Sequence, residues 1–114
     1  MRRFAATGAW LAGIAVALAA YAAHAADDAQ QARLQTAALF AFGHGLALVA
    51  LAPRAVSRWM RVALVALFVG ALLFSGSLVA EALFGLRPRL APSGGTLLIV
   101  GWLLLGATLW KRGE

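Results

Sequence analysis

Residues 62–80, VALVALFVGALLFSGSLVA, run between Arg61 and Glu81 without one charged side chain. Coiled as a helix rising about 1.5 Å per residue, such a run is close to the length that crosses a hydrocarbon core of about 30 Å. Three more uncharged runs accompany it: 23 residues between Arg3 and Asp27, 20 between Arg33 and Arg54, and 21 between Arg89 and Lys111. With the central 19 they fill most of a 114-residue chain, and the short connectors left over cannot form an extramembrane domain. The runs predict an all-α membrane protein, one integral domain built as a four-transmembrane-helix bundle, with helices over about 4–23, 35–52, 62–84 and 94–110.

Composition agrees. The chain is 63% hydrophobic and 12% charged, too apolar for an ordinary water-soluble domain, and its mean hydropathy is +0.86. Its net charge of +6 falls in short clusters between apolar runs instead of forming a basic stripe on a polar face, so no nucleic-acid partner is expected. The absence of cysteine removes disulfides, thiolate chemistry and cysteine metal sites. Seven basic residues (Arg2, Arg3, Arg54, Arg58, Arg61, Lys111 and Arg112) belong to one side of a four-span chain, and three (Arg33, Arg87 and Arg89) to the other. The positive-inside rule then places both termini in the cytoplasm. Pro53 ends the second span, and Arg87-Pro88-Arg89 with Pro92-Ser93-Gly94-Gly95 predicts a tight turn before the fourth. Trp59 and Trp110 fall at span ends, where an aromatic belt would place them; Trp102 does not.

The first span has a second reading. Arg2-Arg3, an apolar stretch and Ala23-x-Ala25 before Asp27 imitate a secretory signal whose cleavage would leave three spans. The apolar stretch is longer than the roughly 7 to 15 residues of a signal core, which favours a retained helix. Ala9, Gly13, Ala17, Ala20 and His24 also recur at helical spacing, a strip of small residues expected to pack on neighbouring helices.

Ionisable and hydroxyl groups inside a span are the natural candidates for function, because leaving a charge unpaired in hydrocarbon costs several kcal/mol. Three ionisable residues qualify, His44, Glu81 and, near a span end, His24, and the Ser75 and Ser77 hydroxyls of the third span are candidates beside them. Counted from the ends of their spans, His44 and Ser75 each lie about 14 Å deep, so the two could hydrogen-bond if the second and third helices face each other. His44 without a carboxylate at its depth reads as interhelical polar glue, with a proton relay as the sharper alternative. Glu81 is expected to capture Arg33, Arg87 or Arg89 at the rim, or else to draw cations toward a layer formed by Ser77 and His44. Gly94, Gly101 and Thr108 recur every seventh residue, which predicts close packing of the fourth helix, whereas Ser75-Gly76-Ser77 could instead open a local cavity. Two histidines at different depths without cysteine make too thin a ligand set for a metal, and no cofactor fingerprint or catalytic constellation is present.

Gly8-Ala9 through Ala22-Ala23-His24, Gln35-Thr36-Ala37 leading to His44-Gly45-Leu46, Leu73-Phe74-Ser75-Gly76-Ser77-Leu78, and Pro92-Ser93-Gly94-Gly95 leading to Gly101-Trp102 occur in an order that resembles a known family. These are the small four-helix membrane proteins of the YgdD type, the domain of unknown function 423 family, related to eukaryotic transmembrane protein 256. The resemblance covers nearly the whole chain and implies a bacterial inner-membrane protein of this length and topology. The chain departs from the family where Ala19–Ala25 replaces a glycine-rich segment and where Glu81 replaces an aliphatic residue. The resemblance implies no biochemical activity.

The expectation is a non-enzymatic module that associates with itself as a homo-oligomer, with a membrane complex or with lipid of the bilayer. The alternative is a small channel or transporter subunit with a midplane polar layer of His44, Ser75 and Ser77. A membrane enzyme acting on lipid finds least support, since no acid/base pair stands at the interface.

Overall fold

Asp27 starts the second helix well before residue 35. Its carboxylate accepts the backbone N–H of Gln30 at 2.8 Å, and the Gln30 side-chain oxygen accepts the Asp27 N–H in return. This reciprocal capping box satisfies two donors that a helix start leaves orphaned. The computed structural model describes residues 1–86 and 91–113. Its elements are α1 (Arg2–His24), α2 (Asp28–Leu51), a single 3-10 turn (Ala52–Arg54), α3 (Arg58–Phe84) and α4 (Ala91–Arg112). All four helices are long and apolar enough to cross a membrane.

The helix ends follow local chemistry more than hydrophobicity. Pro53 converts the end of α2 into the 3-10 turn, and the Ser57 hydroxyl accepts the Met60 N–H at 3.0 Å to start α3 before residue 62. Gly85, at φ +67°, closes α3 in the left-handed conformation that favours glycine, and the Leu86 N–H reaches back to the Ala80 carbonyl at 3.2 Å. Pro92-Ser93-Gly94-Gly95 is helical, which corrects the expected turn there. Proline is tolerated in a first helical turn because its missing N–H has no intrahelical acceptor at that place. Arg87-Pro88-Arg89, the rest of the expected turn, lies outside the described residues.

Consecutive helices pair, α1 with α2, α2 with α3 and α3 with α4. Two glycine contacts let backbones approach. A Cβ added to Gly8 would meet the Gly45 carbonyl oxygen at 2.6 Å, and one added to Gly94 would meet the Phe74 nitrogen at 2.5 Å and the Gly70 oxygen at 2.9 Å. Each hairpin, α1/α2 and α3/α4, is therefore joined by direct backbone apposition. Lipid tails are as apolar as leucine, so this van der Waals contact, and not exclusion of water, favours association inside a bilayer.

The main core places Met60, Leu64 and Leu67 of α3 against Leu11, Leu48, Leu98 and Leu105 from the other three helices. A smaller cluster of Ala22, Leu34 and Ala82 closes the opposite end. The molecule extends 50 Å along its long axis, enough for the hydrocarbon core and both headgroup layers.

One predicted face is wrong. Ala9, Gly13, Ala17, Ala20 and His24 are exposed, and α1 packs instead through Gly8, Leu11, Ala12, Ala15 and Ala22. The inward face carries the glycine that Gly45 requires, whereas a Cβ on Gly13 would meet nothing within 4 Å. By contrast, Gly94, Gly101 and Thr108 are all buried, with Gly101 seated against Leu67.

Candidate functional site

His44 is buried on α2, seven residues before its end at Leu51. Trp102 of α4 donates its indole N–H to His44 Nε2 at 3.0 Å. Nε2 therefore carries a lone pair, the ring hydrogen resides on Nδ1, and Nδ1–H donates to the Phe40 carbonyl one turn earlier at 2.7 Å. Both ring nitrogens are thus engaged by a neutral imidazole. A second proton on Nε2 would set two N–H groups against each other and break the link to α4.

Aromatic rings surround this hydrogen bond. The Phe40 ring lies nearly parallel to the imidazole at 6.1 Å, Phe74 meets Phe40 at 4.6 Å, and the indole tilts 54° to the imidazole. The cluster joins α2, α3 and α4. Trp102 remains 43% exposed, so the indole covers His44 from the outside of the bundle.

Ser75 does not join His44. Its hydroxyl donates to the Ala37 carbonyl at 2.8 Å, a buried bond between α3 and α2. Ala37 precedes His44 by seven residues, about 10 Å along the helix axis. The expected depth match fails because α2 begins at Asp28 and because the antiparallel register of α2 and α3 sets Ser75 opposite Ala37. Ser77 is buried too, and its hydroxyl has no hydrogen-bond partner among the described residues.

A second polar group lies at the end of the bundle where α1 finishes, α2 starts and α3 finishes. Glu81 pairs with Arg33 at 3.3 Å, both side chains part-exposed, which satisfies the expectation for one of its three candidate arginines. Arg87 and Arg89 lie outside the described residues. Gln30 Nε2 donates to the Ala82 carbonyl at 3.0 Å, and Gln31 Nε2 to the Ala22 carbonyl at 3.1 Å. Both acceptors sit in last helical turns, whose carbonyls lack intrahelical donors. One turn of α2 thereby ties off α1 and α3 together. His24 is exposed at the end of α1.

Sequence reasoning missed Trp102, Gln30 and Gln31 as partners. An indole N–H far from both span ends needs an acceptor, and that signal could have paired Trp102 with the His44 imidazole, which lies farther from a helix end than His24. Among the described residues no group of three or more His, Cys, Asp or Glu side chains could hold a metal ion. The geometry is that of interhelical fastening: donors and acceptors on different helices, matched at the aromatic cluster around His44 and at a polar end.

The family model for a protein of unknown function, DUF423, matches residues 18–95, a segment that contains His44, Ser75, Ser77 and Glu81 and stops short of Trp102. A UPF0382 membrane protein of Staphylococcus saprophyticus is 35% identical over 92% of this chain and 94% of its own. A UPF0382 membrane protein of Haemophilus influenzae is 34% identical over 84% of each chain. The UPF0382 inner membrane protein YgdD of Escherichia coli is 37% identical over 87% of this chain and 84% of its own. No solved structure matches the chain. With a match over most of its length and relatives above 30% identity across four-fifths or more of the sequence, the chain belongs to the DUF423 family, as a multi-pass protein of the bacterial inner membrane.

Proposed function

We propose that the chain is a non-enzymatic helix-bundle module that works by association within the bilayer, with itself, with a larger membrane complex or with lipid, and that both its termini face the cytoplasm. One observation carries the reading: α1 turns Ala9, Gly13, Ala17 and Ala20 outward, with open space where a Gly13 Cβ would be. Small residues let helices approach closely in lipid, and here they are spent on the outside of the bundle. The pairing of His44 with Trp102 and of Ser75 with Ala37 supports it further, since these polar atoms already serve the fold. Kinship with eukaryotic transmembrane protein 256 is part of the proposal and rests on the resemblance.

The test is cross-linking in native membranes. The unaltered chain is expected to form a dimer or a defined adduct, and Gly13→Leu to abolish it without lowering the melting temperature of the bundle. A chain recovered only as a monomer, with neither partner nor lipid, overturns the reading. Reporter fusions that place the two ends on opposite faces overturn the orientation.

The alternative, a small channel or transporter subunit using His44, Ser75 and Ser77, draws support from the buried Ser77 hydroxyl, which has no partner among the described residues. It requires flux through liposomes that is lost in His44→Ala.

A further inference from the structure

A groove of about 380 Å³ opens between the start of α3 and the end of α4, lined by Ser57, Trp59, Leu104, Ala107, Thr108, Lys111 and Arg112. Its composition is graded. Leu104 and Ala107 lie on the α4 stretch toward the middle of the bundle, and Lys111 and Arg112 follow in the last turn of that helix. An apolar trough ending in two cations fits an amphipathic anion better than a free ion or a neutral chain.

The Arg112 guanidinium shows how poorly that charge is matched by the protein. Its hydrogen-bond partner among the described residues is the Met60 sulfur at 3.6 Å, a weak and neutral acceptor. Lys111 and Arg112 form no ion pair among the described residues. Asp27, Asp28 and Glu81 all belong to the opposite end of the bundle, and Glu114 lies outside the described residues. Basic residues at a helix end beside an indole stand where the headgroups of a bilayer lie, and anionic headgroups attract them.

We propose that this groove binds one anionic glycerophospholipid, its phosphate held by Lys111 and Arg112 and an acyl chain laid along Leu104, Ala107 and the Trp59 ring. The site deepens the lipid part of the association reading. It is independent of the outward face of α1.

The full chain, purified in a neutral detergent, is titrated with phosphatidylglycerol, phosphatidylcholine or inorganic phosphate, and retained lipid is counted by native mass spectrometry. Phosphatidylglycerol should be retained in preference to phosphatidylcholine, and Lys111→Gln/Arg112→Gln should weaken its binding about 30-fold, from two surface charges removed. Arg2→Gln/Arg3→Gln, which removes equal charge from the start of α1, outside the groove but on the same side of the chain, should leave it unchanged. Lys111→Arg/Arg112→Lys, which keeps both charges, should retain the lipid and shows that loss in the glutamine variant is not misfolding. Equal retention of the two lipids overturns the proposal, as does equal loss in both glutamine variants. Competition by inorganic phosphate alone assigns the groove to a free anion and overturns it as well. Failure of the Gly13→Leu cross-linking test leaves these measurements untouched, so the two readings fall separately.

Discussion

Gly45→Ala tests the close backbone approach of α1 and α2. Its new methyl group would lie 2.6 Å from the Gly8 carbonyl oxygen, 3.0 Å from the Ala12 nitrogen and 3.3 Å from the Ala12 Cβ, where ordinary contact starts at 3.4 Å. Two of these three neighbours are backbone atoms of α1, so no side-chain rotation relieves the clash. The α1/α2 pair must open by about 0.8 Å, and overpacking of this kind costs about 1–3 kcal/mol. Alanine recovers up to about 1 kcal/mol of helix propensity. With full recovery the net expectation is a loss of up to about 2 kcal/mol. Gly43→Ala is the internal control, two residues away on the same helix, with nothing within 4 Å of its added Cβ. It should be neutral or stabilising by up to about 1 kcal/mol. Reversible unfolding of the two variants in mixed micelles, followed by helical circular dichroism, measures the difference. Gly8→Ala combined with Gly45→Ala should cost less than the sum of the single changes, because helices already forced apart admit the second methyl more easily. Equal stability of Gly45→Ala and Gly43→Ala would falsify the backbone apposition of α1 and α2.

Three further expectations follow from the polar contacts. Trp102→Phe leaves His44 Nε2 without its donor and should cost about 0.6–2 kcal/mol, and a double-mutant cycle with His44→Ala should return a coupling energy of the same sign. Zero coupling in that cycle refutes the indole–imidazole bond. Ser75→Ala should destabilise by about 1 kcal/mol, because the Ala37 carbonyl loses the Ser75 donor, whereas Ser77→Ala should be neutral or stabilising, because it removes a buried hydroxyl that has no hydrogen bond among the described residues. Detergent unfolding that ranks these two serines in the reverse order contradicts the assignment. Glu81→Gln should change stability by less than about 1 kcal/mol, since the Arg33 pair is part-exposed, and should leave cross-linking and any liposome flux unaltered; altered flux would revive Glu81 as a cation-attracting mouth residue.

The helix starts were more legible than hydrophobicity alone implies. Asp27-x-x-Gln30 is a capping pattern readable without coordinates, and Ser57 precedes α3 in the same way. Both were hidden by measuring spans from their apolar runs, which put the start of α2 too late and displaced His44 toward the centre. The small-residue face of α1 was misread for a different reason. Alanine is so frequent between Ala5 and Ala26 that more than one face is lined with small side chains, and periodicity cannot rank them. Apposition of Gly8 with Gly45 ranks them in the structure, through the space each backbone leaves the other.

Residue order by itself determined a bundle of four helices, each long and apolar enough to cross a bilayer. That property depends on how many consecutive residues lack charge, and the hydrocarbon thickness supplies the ruler. Only the tertiary structure decided that His44 belongs to Trp102, Ser75 to Ala37, and one turn of α2 to the ends of both α1 and α3. Apart from the Gln31–Ala22 bond inside the α1/α2 hairpin, those pairings join residues 38 to 58 positions apart on helices from opposite hairpins. They are set by interhelical register, which arises from how closely glycine and alanine allow backbones to pack and leaves no periodic trace in a single sequence.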